Sequence, residues 1–322
     1  MANAPAPDAA LKTTWGAYRT WAATARYHKS RLDVWGKWVL LLSISGAILV
    51  ALGEQVSPLA KEGVGFYLVK APGWLGSAII ALAAYFTREM LGGSTEKNWT
   101  RARSVAESLK AATFLYRAAV PPFDEPNRSA RLSERTRAIQ KTVEDLETRD
   151  GGPEPEPSLQ ALTVNEYVTE RVDEQIAYYD RTARRYQAET DKYRNILLAL
   201  GALSILLGLV SAAGPFGLWV AVIATVTGSL AAYIQTQRYV ALTVLYQATM
   251  RRLKELLGEW GVSGKSDTDK ADRDAFIRRC EETMALENGA WVSQWSQQQT
   301  SQPDQPNQQQ EGAQGKPAGA RD

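Results

Sequence analysis

Arginine side chains at helical spacing are the groups in this sequence with the clearest binding chemistry. Arg184 and Arg185 follow an aromatic helical face, and Arg251 begins a second basic stretch. A guanidinium group binds phosphate through paired, charge-assisted hydrogen bonds. These side chains could therefore contact lipid phosphates or bind an anionic ligand, or they could simply be solvated. The basic candidates are Arg26, Arg103, Arg184, Arg185 and Arg251.

No set of residues indicates catalytic chemistry. The chain has one histidine, His28, and one cysteine, Cys280, so neither a histidine-ligated metal centre nor an internal disulfide is expected. The sequence has no glycine-rich phosphate loop. The net charge of +2 gives no overall attraction for nucleic acid. We therefore expect no enzymatic activity, no catalytic or metal-binding residues, no cofactor and no nucleic-acid partner.

The elements that must position the basic residues surround long uncharged stretches. Residues 196–234 contain no Asp, Glu, Lys, Arg or His and are interrupted by Gly214 and Pro215. Each half is close to the ~20 apolar residues that a helix needs to cross a bilayer. A buried soluble hairpin is the alternative, but its helices would show a polar stripe, and neither half has one. We predict two spans, at residues 196–213 and 216–234.

The first half of the chain has two shorter uncharged stretches, at residues 38–53 and 71–87, which we predict to be spans as well. Aromatic rings near their ends, such as Trp38 and Trp74, are typical of the membrane interface. The prediction is an all-α membrane protein with four transmembrane helices in two hairpins. Long helical extensions are expected to continue these hairpins outside the membrane.

The charge distribution predicts the orientation of the hairpins. Eighteen Lys and Arg residues flank the outer ends of the hairpins, whereas the loops within them contain only Lys61 and Lys70. Positive charge near short spans stays on the cytoplasmic side. We therefore expect a multi-pass protein of the plasma membrane with both termini and all the helical extensions in the cytoplasm.

The order of helix, span, span and helix occurs twice, which indicates an internal duplication. Residues 24–26 and 182–184 are both Thr-Ala-Arg. Chance similarity is the alternative, because the identities are few. The predicted organisation is a disordered tail at 1–12, a first unit at 13–150, a Gly/Pro/Glu linker at 151–160, a second unit at 161–295 and a disordered Gln-rich tail at 296–322.

Small residues line one face of each span in the second hairpin. Such stripes let helix backbones approach closely in lipid. The stripes could pack within the four-span bundle, or they could face a second subunit or a pore. The candidates for helix packing or pore lining are Gly201, Ser204, Gly208, Ser211, Ala224 and Gly228.

Several of these features together resemble a known family. The aromatic and basic helix with Tyr179, Arg184 and Arg185, the two spans joined by a Gly-Pro turn, and the closing residues Glu287, Asn288 and Trp291 look like the SLATT family of bacterial two-span effector domains. The first half is similar to a second SLATT subtype, so the chain resembles a tandem fusion. This resemblance implies a membrane effector of a nucleotide-triggered antiphage conflict system, with a nucleotide-signalling or sensor protein as partner.

Two functions follow from this reading. The first is an oligomeric effector that forms a pore or disrupts the lipid bilayer, with homo-oligomer contacts between its spans. The alternative is a non-conducting scaffold in which the hairpins only anchor cytoplasmic helices that recruit a partner. The sequence itself does not separate these two hypotheses.

Overall fold

The computed structural model describes residues 7–56, 64–91, 93–152, 160–211, 217–263 and 267–299. Nearly all of these residues are helical, and no β-strand occurs among them. The predicted Gly214-Pro215 turn, most of the linker (153–159) and the tails at 1–6 and 300–322 lie outside the described residues.

The described chain forms nine α-helices. They are α1 (Pro7–Val56), α2 (Val64–Met90), α3 (Gly93–Arg117), α4 (Arg128–Lys141), α5 (Val164–Tyr167), α6 (Glu174–Ser211), α7 (Gly217–Gln237), α8 (Tyr239–Val262) and α9 (Lys270–Gln299). A π-helical turn at Val168–Asp173 joins α5 to α6, so helical backbone runs without a break from Val164 to Ser211.

Four of these helical segments are long and apolar enough to cross a membrane, as the hydropathy pattern predicted. The spans lie in α1, α2, α6 and α7, and the all-α membrane fold is therefore confirmed. In α1 and in α6 the span and the charged extension belong to one helix. At 1.5 Å per residue, the 50 residues of α1 reach about 75 Å.

The fourth span and its extension are two separate helices, α7 and α8. Arg238, between α7 and α8, has φ 51° and ψ 29°, which is the left-handed region of backbone space. A residue with a Cβ rarely adopts this conformation inside a helix, so it separates α7 from α8.

The N-terminal helix begins earlier than we predicted. Residues 7–12 were expected to be a disordered tail, but α1 begins at Pro7. Ala10 and Leu11 are each only 2% exposed, and they share a small hydrophobic cluster with Phe123 and Leu132. Burial of this apolar surface offsets the entropy of ordering the first turns. At the other end, α9 continues to Gln299, four residues beyond the predicted boundary.

The charged helical extensions of both predicted units share one hydrophobic core. Trp21 and Leu109 from the first unit belong to the same buried cluster as Tyr179, Tyr246 and Ile277 from the second. The last helix, α9, packs against α3 of the first unit as well as against α8. The division into two sequence units stays a prediction, but the two halves fold against each other.

A buried ion pair lies at the junction of the two halves. Arg171, which is 2% exposed, donates from Nε and Nη2 to the two carboxylate oxygens of Glu281, each at 3.0 Å. The hydroxyl of Tyr167 donates to the same carboxylate at 3.0 Å. From the first half, Glu107 Oε2 lies 4.0 Å from Arg171 Nη1, and the ring centroid of Phe114 lies 5.3 Å from the guanidinium carbon.

The surroundings of Arg171 determine its charge state. Burial by itself would lower the pKa of Arg171, but the carboxylates of Glu281 and Glu107 raise it above its usual value. Burial and the Glu281 charge likewise raise the pKa of Tyr167, which therefore keeps its proton. Arg171 stays a cation, and its stability in the core depends on the acidic partners.

Replacement of Glu281 by Leu is expected to lower the free energy of unfolding by about 3–5 kcal/mol, because Arg171 would remain buried without its main partner. The measurement is denaturant unfolding of the purified full-length protein in detergent. The triple variant Tyr167→Phe, Arg171→Met, Glu281→Leu removes every member of the network and should recover most of the loss. A Glu281→Leu protein as stable as the wild type would contradict this role.

Candidate functional site

The closest helix packing in the membrane occurs in the first hairpin. A Cβ added to Gly53 would lie 2.4 Å from the backbone nitrogen of Gly73, and one added to Gly76 would lie 2.7 Å from the carbonyl oxygen of Gly46. Only glycine allows the backbones of α1 and α2 to approach this closely. We did not predict this crossing from the sequence. The pattern that indicates it is the spacing of seven residues between Gly46 and Gly53, with Gly73 and Gly76 on the facing span.

The fourth span packs beside the first. Trp219 Nε1 donates to Gln55 Oε1 at 3.1 Å near one end of α7, and a Cβ on Gly36 would lie 3.2 Å from the Tyr233 ring near the other. Helix α1 thus packs against both α2 and α7 in the transmembrane region.

The third span lies at the edge of this bundle. It packs on α7, but no residue of the most apolar eighteen-residue stretch of α6 is buried within the chain. Leu198, Ile205 and Leu209 are 66%, 67% and 72% exposed. The described chain therefore leaves most of the α6 span for contact with lipid or with another protein.

Four of the predicted small-residue candidates belong to α6, and the other two, Ala224 and Gly228, belong to α7. A Cβ on Gly201, Gly208 or Gly228 would meet no atom within 4 Å beyond the helix itself. Ala224 is exposed, Ser204 is half-buried, and the side chain of Ser211 lies outside the described part of the chain. Among the described residues, no neighbouring helix would contact a Cβ at these three glycines, so they do not mediate close helix packing there. That they face another subunit or a pore stays a prediction.

A cavity of about 760 Å³ lies between α3 and the charged extensions of α1 and α6. It brings together two of the five predicted basic candidates, Arg26 on α1 and Arg103 on α3. The other three do not line this cavity and are exposed on the surface of α6 and α8. Arg184 forms an ion pair with Asp180 at 3.0 Å, and Arg251 Nε donates to the carbonyl oxygen of Gln247 at 3.3 Å.

Further charged side chains surround this cavity. Burial and the nearby Arg171 lower the pKa of Lys110, and the carboxylates of Glu107, Glu174 and Glu281 only partly oppose this effect. The other charged residues of the lining are Lys29, Arg181, Glu107 and Glu174. The cavity wall therefore has a basic excess, and one of its lysines is partly desolvated.

A second, mostly apolar cavity of about 260 Å³ lies where the spans meet their charged helical extensions. Its wall includes Leu40 of α1, Thr87 of α2 and Tyr233 of α7. Lys29 and Trp99 line both cavities. Lys29 and Trp99 thus lie between the basic cavity and the ends of the transmembrane helices.

The residues that most often act as nucleophile or base have unfavourable surroundings. Burial raises the pKa of the Cys280 thiol to about 12, so the reactive thiolate is scarce at neutral pH. Burial, followed by the charges of Arg31 and Arg149, lowers the pKa of His28. Among the described residues, no group of three or more His, Cys, Asp and Glu side chains is placed to hold a metal ion.

Each half of the chain matches a known family. Residues 167–291 match the family described as SMODS and SLOG-associating 2TM effector domain 1, which confirms the resemblance seen in the sequence. Residues 19–131 match a family of proteins of unknown function, DUF4231, and the two matches together are consistent with a tandem arrangement. No curated protein and no solved structure matches the chain.

Replacement of Gly76 by Leu is expected to lower the free energy of unfolding by about 1–3 kcal/mol, because the new side chain would separate α1 from α2. The matched control is Gly201→Leu, which introduces the same side chain into a span where a Cβ meets no neighbour. The melting temperatures of both variants in detergent provide the comparison. Equal melting temperatures would show that the Gly46–Gly76 crossing is not required.

Proposed function

We propose, on the premise that residues 167–291 form a SMODS and SLOG-associating 2TM effector (SLATT) domain, that this protein is an oligomeric membrane effector. Its spans associate between copies of the chain and form a pore or otherwise disrupt the bilayer. The setting we propose is a bacterial conflict system in which a nucleotide-signalling or sensor protein reports phage infection. The cytoplasmic helices hold the effector closed until that signal arrives.

The observation that carries this proposal is the open surface of α6. Its span has contact with α7 on one side, whereas Leu198, Ile205 and Leu209 are exposed. Gly201 and Ser204 belong to the small-residue stripe of the same span, and Gly201 has room beside it for a closely approaching helix. In lipid, helices associate through small residues and close van der Waals contact rather than through the hydrophobic effect. A second copy of the chain would find such a surface on α6.

Orientation is part of the proposal. The eighteen basic residues around the outer ends of the hairpins favour the cytoplasm for both termini and for the shared helical core. The plasma membrane is then the target, and the two short hairpin loops are its only outward segments.

The purified protein should release ions from liposomes as a defined oligomer, and Gly201→Leu combined with Gly228→Leu should reduce that flux at least tenfold by preventing close contact between spans. Ala202→Leu is the matched control, since Ala202 is exposed on α6 but lies off the small-residue stripe. Flux is measured with and without the candidate signalling partner, alongside the oligomeric mass in the same detergent. A monomer in sealed liposomes under both conditions would reject the effector and favour the anchored scaffold.

Labelling of intact cells tests the orientation. A membrane-impermeant maleimide should label Ala60→Cys, in the first hairpin loop, and should not label Gly258→Cys, on the cytoplasmic helix α8. The native Cys280 is buried and gives no background. Lysed cells provide the control for Gly258→Cys, which should then react. The reverse pattern in intact cells would place the helical core outside.

A further inference from the structure

The basic cavity described above has the size of a site for a small molecule. Its volume of about 760 Å³ lies within the ~300–1,000 Å³ of typical ligand pockets. Helices from both halves of the chain form its walls, namely α1 and α3 from the first half and α6 from the second. A molecule bound there would contact both halves at once.

The charge of the lining is unbalanced. Five basic side chains face two carboxylates: Arg26, Lys29, Arg103, Lys110 and Arg181 against Glu107 and Glu174. One of these carboxylates is already shared, because Glu107 lies 4.0 Å from the buried Arg171. One of the cations is also paired, because Lys29 lies 3.0 Å from Asp33, and four cations remain. An excess of cations around a partly enclosed volume attracts an anion, and guanidinium groups bind phosphate in a bidentate manner.

The surroundings of Lys110 indicate that the cavity is suited to a negatively charged ligand. Within the described part of the chain it has no ion pair within 4.0 Å, and its Nζ lies 5.9 Å from the centroid of the Tyr18 ring. The carboxylates of Glu107, Glu174 and Glu281 act on Lys110 only from a distance. A half-buried ammonium group without a direct ion pair is unfavourable for folding. Such an arrangement is typical of a position where a ligand supplies the negative charge.

Flat aromatic rings complete the lining. Tyr18, Trp99, Tyr178 and Tyr186 border the cavity. Lys29 lies over the Trp99 ring, at 5.0 Å from its centroid, and this contact holds the ammonium group at the wall. Aromatic side chains beside cations provide stacking surfaces for the planar ring of a charged molecule.

We propose that this cavity binds a phosphorylated small molecule that carries a planar ring, with Arg26, Arg103, Lys110 and Arg181 contacting the phosphates and the tyrosines contacting the ring. The phosphate chemistry is shared with anionic lipid headgroups, but the aromatic wall favours a soluble ligand of the nucleotide class. Bound phosphate would draw α6 towards α1 and α3.

Two helices of the cavity wall are continuous with transmembrane spans. Helices α1 and α6 both continue from the cavity wall into their spans, and Lys29 and Trp99 also line the apolar cavity at the ends of the spans. We infer that ligand binding changes the arrangement of the spans. This second step depends on the effector function proposed above, whereas binding itself does not.

The test is isothermal titration of the full-length protein in detergent with ATP, inorganic tripolyphosphate and adenosine as probes. ATP should bind, and tripolyphosphate and adenosine should each bind more weakly, because each offers half of the recognised chemistry. Arg26→Glu and Arg181→Glu should each weaken ATP binding at least tenfold. The matched control Arg251→Glu, an exposed arginine outside the cavity, should leave it unchanged.

Lys110→Met separates binding from folding. It should raise the melting temperature of the ligand-free protein, since an unfavourable buried charge is removed, and yet weaken ATP binding at least tenfold. A lower melting temperature with unchanged binding would show that Lys110 is only structural and would overturn its role.

Further outcomes decide the source of the phosphate and the link to function. No binding of ATP or tripolyphosphate would overturn the proposal, and so would an equal loss in Arg251→Glu and Arg181→Glu. Displacement of ATP by a short-chain phosphatidic acid that binds more tightly would assign the cavity to a lipid headgroup instead. ATP binding to a protein whose liposomes stay sealed would support the site and count against the effector function.

Discussion

The fold depends on the neutralisation of one buried arginine. Arg171 enters the core from the π-helical turn of the second half, and it is held by Glu281 of the last helix and by Glu107 and Phe114 of the first half. Glu107 and Phe114 both lie on α3, far in the sequence from Arg171 and from Glu281. Because an unpaired cation in this position would be costly, the compact state needs α3 and α9 packed around the π-helical turn. The pair therefore selects one arrangement of the helices.

This arrangement also determines what the bundle can do in the membrane. The shared hydrophobic core holds α1 and α3 against α6 and α8, so the spans enter the lipid from positions that are already defined. The first hairpin is closed by direct backbone contact at its glycines, and α7 lies against it. The span of α6 is left at the edge, where it contacts α7, and the charged extension of α6 contacts α8. The same hydrophobic core thus supports both the closely packed first hairpin and the largely exposed span of α6.

Sequence alone predicted the spans well, because lipid imposes its requirement on every residue of a crossing segment and no tertiary contact can replace it. It failed where the outcome depends on which surfaces meet. The small residues around Gly201 are spaced more regularly than Gly46 and Gly76. A Cβ added at Gly46 or Gly76 would nevertheless meet the facing helix, whereas one added at Gly201 would meet no neighbour. Arg171 stands among acidic neighbours like any solvated arginine, and its burial follows from the packing of α3 and α9. Arg26 and Arg103 were recognised as basic candidates, but their meeting in one cavity required the positions of three helices.

In each half of the chain, one span is continuous with its helical extension and the other span is separated from its extension by a break. Helix α1 and the helix from Val164 to Ser211 pass from core to membrane as single rods, whereas α2 ends before α3 begins and the left-handed Arg238 divides α7 from α8. Rotation of a continuous helix about its axis would turn its span and its extension together. A break between span and extension would allow the span to tilt while the extension keeps its position. In each half, therefore, one span is joined to the shared core through continuous helix and the other through a break.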